Sequence, residues 1–229
     1  MKITTSKLIR WAGLSAMVAG ILYMLVGMFH PLNILSSVTT TRWAIVHDIA
    51  SAMCFFGLFG MTGLYARQAE KSGWLGLAGY LLLSLWLVVI MGFTFAEAFI
   101  MPLLATGTPA FVQGWVGMFT GSASQVTLGS LPTLWNLSGP VYILGGLLFG
   151  IATFRAGILP RWAGVLLAAG CVLGPVAILF PPEVQLKMAV PVGLALAWLG
   201  YALFSERRAP ATEPSPCREA PSSGLVEPS

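Results

Sequence analysis

Apolar and polar positions along this chain fall in blocks rather than alternating. Apolar runs occupy about 9–30, 43–66, 74–104, 131–154, 162–181 and 187–205, and Lys, Arg and Pro gather between them. Each run is close to the roughly 20 residues that a helix needs to cross the hydrocarbon core of a bilayer. The pattern predicts an all-α fold, a polytopic transmembrane bundle of six spans filling residues 1–205. Residues 206–229 are rich in Pro, Ser and Glu. Such a segment cannot bury enough apolar surface to offset its ordering entropy, so a disordered tail is expected there.

Composition supports this reading. Of 229 residues, 57% are hydrophobic and 9% are charged, and the mean hydropathy is +0.84. Soluble domains carry about 25% charged residues, so this chain needs the lipid bilayer as its solvent. The net charge of +4 does not indicate a nucleic-acid partner, because the basic residues sit at the ends of apolar runs. With the N-terminus inside, the inner segments hold Lys2, Lys7, Arg10, Arg67, Lys71, Arg155, Arg161, Arg207, Arg208 and Arg218, and the outer ones only Arg42 and Lys187. That asymmetry obeys the positive-inside rule and puts both termini in the cytoplasm. The first apolar stretch, Trp11 to Phe29, exceeds the 7–15 residues of a signal-peptide core and reads as a span, removal as a signal being the other reading. Cys54, Cys171 and Cys217 are far apart and form neither a disulfide framework nor a metal-spaced set.

Span ends resemble one another. Runs one, three and five enter with "RWAGLSAM", "SGWLGLAG" and "PRWAGVLL", and runs two, four and six leave with "GLYARQ", "GIATFRAG" and "GYALFSERR". Three repeated helical hairpins would produce this, and so would the general preference of Trp and basic residues for membrane interfaces. Gly13, Gly20 and Gly27 recur every seven residues, and Gly146/Gly150 and Gly170/Gly174 stand four apart. Small residues at such spacing let helix backbones approach closely. The uncharged segment 105–131 places Phe111, Trp115, Met118 and Phe119 near helical spacing, which predicts a short helix in the outer interface, either a plain connection or a lid.

The candidate chemistry centres on "MGFTFAEAFIMP", residues 91–102, where Glu97 stands alone among apolar and aromatic neighbours. About 23 residues separate it from Trp74, or roughly 35 Å of helix, so it lies near the outer boundary of the core. His47 and Asp48 enter from that same boundary on the second run, His30 ends the first run beside it, and Arg42 lies just above. Asn136 and Tyr142 are on the outer half of the fourth run, and Pro31, Pro102, Pro140, Pro175, Pro181, Pro182 and Pro191 all lie toward the outside. Acids within a span usually face the bundle and find a partner; His47 and Arg42 are the candidates for Glu97. Together these residues mark an outer-leaflet polar pocket for a small ligand or cation, with His47, Asp48, Glu97, Arg42, His30, Asn136 and Tyr142 as its candidate lining.

Two other readings use the same residues. In one, a structural or accessory protein uses Glu97 and Asp48 with His47 and Arg42 as a clamp between spans two and three. In the other, two His and two carboxylates ligate a metal, or His30 and His47 ligate a haem, in an intramembrane enzyme. The chain carries no HExxH or HxxxH, no phosphate-binding glycine loop and no nucleophile elbow. The sequence therefore identifies no catalytic residue, cofactor or metal.

The passages "GLYARQAEKSGWLGLAGYLLL", "EAFIMPLLATGTPA", "FRAGILPRWAGVLLAAG" and "LAWLGYALFS" resemble a group of bacterial six-span integral membrane proteins to which no activity is attached. The resemblance covers most of the chain outside the tail. It implies the architecture and a bacterial cytoplasmic membrane, and it transfers no site residue.

Overall fold

A computed structural model describes residues 4–176, 180–181 and 185–206, and all regular structure in it is helical. The elements are α1 (Thr5–Phe29), the short α2 (Leu35–Val38), α3 (Thr41–Phe95), a π turn (Ala96–Ile100), α4 (Met101–Leu104), α5 (Pro109–Thr120), α6 (Leu131–Ala156), α7 (Arg161–Val176), a 3-10 turn (Leu186–Ala189) and α8 (Val190–Ser205). Four helices are long and apolar enough to cross a membrane, namely Thr5–Phe29, Thr41–Leu104, Leu131–Ala156 and Lys187–Ser205, and Arg161–Gly174 is apolar but shorter. Of the tail expected over 206–229, only Glu206 is among the described residues, and 177–179 of the expected fifth run also fall outside them.

The helix Thr41–Leu104 has 64 residues, far more than one crossing can use. It folds back at Gly73, whose φ of 54° and ψ of −149° are non-helical and lie where only glycine is unstrained. Contacts between its halves are centred on this turn. His47 meets Glu97, Ser51 Oγ lies 3.0 Å from Thr94 Oγ1, and Tyr65 stacks on Tyr80 with ring centroids 5.0 Å apart. The apolar runs 43–66 and 74–104 are thus the arms of one hairpin. Helix continues past residue 66 through Arg67, Gln68, Glu70 and Lys71, because straight-chain polar residues propagate a helix that apolar periodicity no longer marks.

The bundle closes as a ring in which α8 packs on α1, α1 on α3, α3 on α6, α6 on α7 and α7 on α8. Glycine sets these approaches. A Cβ on Gly20 would lie 2.3 Å from the Gly193 carbonyl oxygen, and one on Gly200 would lie 2.4 Å from the Met17 nitrogen. The backbones of α1 and α8 are therefore in contact, with no room for a methyl group. The first arm of α3 meets α1 where Gly60 faces Ala16, and the second arm meets α6 where Gly79 faces Phe149. At the Gly73 end of the bundle Arg67 Nε bonds the Glu206 carboxylate at 2.7 and 3.0 Å. Gln68, almost fully buried, donates to Thr153 Oγ1 at 2.9 Å.

Candidate functional site

At the opposite end, Pro102 shapes the chain around Glu97. In the π turn the Met101 N–H bonds the Ala96 carbonyl, five residues back. In the same register the Glu97 carbonyl faces position 102, where proline has no N–H to offer. The indole N–H of Trp43 fills that vacancy, donating to the Glu97 carbonyl at 2.8 Å. Trp43 is fully buried, so this bond locks the top of one arm of the hairpin to the other. It also turns the Glu97 side chain inward.

The Glu97 carboxyl then meets His47, with Nε2 3.3 Å from Oε2 and both side chains almost wholly buried. His47 Nδ1 lies 2.8 Å from the Trp43 carbonyl. A carbonyl only accepts, so Nδ1 carries a proton and Nε2 faces Glu97. The Nε2–Oε2 contact has an ion-pair distance but not the direction of a hydrogen bond, and His47 Nε2 has no aligned partner. The Trp115 indole N–H, also buried, is likewise left without an aligned bond.

His30 stands beside this pair, its ring centroid 4.9 Å from that of His47 and nearly perpendicular to it. Its Nδ1 donates to the Pro31 carbonyl at 2.6 Å. The other expected site residues lie elsewhere. Arg42 donates from Nε to the Phe29 carbonyl at 2.9 Å, closing the end of α1. Asp48 is exposed on the outer surface of α3, and Asn136 is exposed on α6. Tyr142 belongs to a cluster nearer the bundle centre, its hydroxyl 3.3 Å from that of Tyr23 and its ring 4.5 Å from Trp86. Of the two candidates for Glu97, the structure brings His47 to it and leaves Arg42 on the flank. Among the described residues no three His, Cys, Asp or Glu side chains converge as metal ligands.

The short helix expected within 105–131 is α5, and it covers the pair. Val112, Trp115 and Val116 are buried against Trp43, Phe93 and Met101, and Phe119 packs on Trp135 with centroids 4.6 Å apart. The other side of α5 borders a cavity of about 300 Å³. Its lining includes Asn33 from the α1–α2 connection, Gln113 and Thr120 from α5, and Ser122, Ser124 and Gln125 from the loop that follows. All of these are uncharged amides and hydroxyls, and Asn33 Oδ1 is a buried acceptor without a partner. Helical spacing located α5 but gave no sign that Trp115 packs on Trp43 and Phe93. The cavity comes from three separate segments and no local pattern announces it.

Comparison with known proteins gives no relative: no family model, no curated protein and no solved structure matches this chain.

Proposed function

We propose that this is a six-span protein of a bacterial cytoplasmic membrane, with both termini inside, whose outer end binds a small uncharged polar ligand. The ligand occupies the amide- and hydroxyl-lined cavity beside α5. The His47–Glu97 pair beneath is the group that responds to it. The observation that carries this reading is the double role of α5. Gln113 lines the cavity, and Trp115, two residues on, is buried against Trp43, Phe93 and Met101, which surround the pair. Anything that shifts α5 moves the packing around the buried pair. Cavities of roughly 300–1,000 Å³ with a few polar groups are the usual form of small-molecule sites.

A second reading is a structural clamp, favoured by how completely both partners are buried. What weighs against it is the unaligned hydrogen bonding. Buried polar groups that serve stability are normally satisfied, whereas His47 Nε2 and Trp115 Nε1 are buried without an aligned bond.

The test is thermal unfolding of the purified protein in mild detergent against glycerol, D-glucose and acetamide in turn. A saturable rise of the midpoint with one of them, lost in the equally stable Gln113→Leu protein, supports the site. No saturable shift with any of the three overturns it.

A further inference from the structure

On the flank of the bundle, away from the α5 cavity, α1 and the first arm of α3 enclose a groove of about 510 Å³. Leu25 and Phe29 form one wall and Ile45 and Ile49 the other, and Arg42 is the one charged residue lining it. Arg42 lies in the first turn of α3, just after Thr41, so its guanidinium lies at the level where helices end and lipid headgroups begin. The Nε–H bond to the Phe29 carbonyl fixes the planar group at the groove's mouth and leaves its two terminal nitrogens to face outward. Among the described residues no carboxylate pairs with Arg42. The groove thus has an apolar trough and a fixed, unpaired cation at one end.

We infer that this groove is a binding site for an anionic phospholipid, one acyl chain lying between α1 and α3 and the phosphate resting on Arg42. A guanidinium presents parallel N–H groups that match two phosphate oxygens, and the surrounding wall offers a chain only methyl and methylene contacts. A zwitterionic lipid fits the trough equally well but brings a quaternary ammonium close to Arg42, which weakens its hold. The inference is independent of the ligand proposed for the α5 cavity.

Native mass spectrometry of the full chain, released from micelles doped with equal amounts of phosphatidylglycerol and phosphatidylcholine, tests it. The wild type should retain one phosphatidylglycerol per chain with a preference of about five-fold, the equivalent of the ~1 kcal/mol that one basic side chain gains beside anionic lipid. Arg42→Gln should still carry a lipid but lose the preference, and Arg42→Lys should keep most of it. Ile49→Trp, which fills the trough, should release the lipid whatever its headgroup. Equal retention of the two lipids by the wild type, an undiminished preference in Arg42→Gln, or a lipid-free dimer closing the groove would each overturn the proposal.

Discussion

The α1–α8 seam and the Glu97 end of the bundle hold helices together by opposite means. Along the seam Gly13, Gly20, Gly193 and Gly200 bring backbones into contact, and every added Cβ would fall within 2.6 Å of a main-chain atom. The seam is backbone against backbone, with Arg10 Nε donating to the Phe204 carbonyl at 3.3 Å at one end of it. At the Glu97 end the contacts are made by large side chains and by hydrogen bonds of uneven quality. Two are aligned, Trp43 to the Glu97 carbonyl and His47 Nδ1 to the Trp43 carbonyl, while His47 Nε2 and Trp115 Nε1 have no aligned partner. A region that serves only packing has no reason to keep polar atoms in that state, because each costs about 1–3 kcal/mol when buried and unsatisfied. The difference is why the proposed function is assigned to the polar end and the seam is read as packing.

The sharpest way to break this contrast is at Gly20. Its Cβ would collide with the Gly193 carbonyl, which belongs to a helix that cannot yield without moving along its whole length. Gly20→Leu is expected to abolish a monodisperse peak in size-exclusion chromatography in mild detergent. Gly20→Ala should cost ~1–3 kcal/mol of stability, the usual range for overpacking. Gly92 is the control, since a Cβ there meets nothing within 4 Å, and Gly92→Ala should unfold at or slightly above the wild-type midpoint.

The next effect separates a ligand-responsive pair from a clamp. His47→Leu leaves the Glu97 carboxyl buried without its partner, which should cost ~3–5 kcal/mol. Glu97→Gln keeps the shape, and its amide can donate to His47 Nε2. It should unfold within about 1 kcal/mol of the wild type, the size of a single net hydrogen bond. Comparable losses in the two variants, measured by thermal unfolding, would make the pair a clamp.

The seam was legible in the sequence and the site only in part, for reasons of periodicity. Gly13 and Gly20 stand seven apart, and the heptad alone puts them on one face. Position along a helix follows from apolar run length, which is why His30, His47 and Glu97 can be set at one level from the sequence. Depth says nothing about azimuth, however. Asp48 is next to His47 in sequence but a hundred degrees round the helix, and it lies on the exposed side of α3. Asn136 shares the depth of the site and not its direction. The Tyr23–Trp86–Tyr142 cluster, the Gln68–Thr153 bond and the packing of Trp115 on Phe93 and Trp43 all join elements distant in sequence, and only the order of helices around the ring brings them together. The π turn was half legible: Pro102 announced a freed carbonyl, but which carbonyl and what would bond it depended on Trp43 arriving from the other arm.

The smallest expected effect is also the most discriminating, because it compares two indoles at one end of the bundle. Trp43 and Trp115 are both buried, so Trp→Phe removes similar volume and similar apolar area at each. The packing loss is then common to both variants, and the difference between them reports the N–H alone. Trp43→Phe takes away the aligned donor to the Glu97 carbonyl and leaves that carbonyl facing a proline, so it should cost ~1–3 kcal/mol beyond the shared term. Trp115→Phe removes an N–H that has no aligned acceptor to lose, so it should recover ~1–3 kcal/mol of the shared packing loss. Equal losses in thermal unfolding would mean that the Trp115 N–H makes a full bond in the resting protein. The loose end on which a ligand-responsive α5 depends would then not exist.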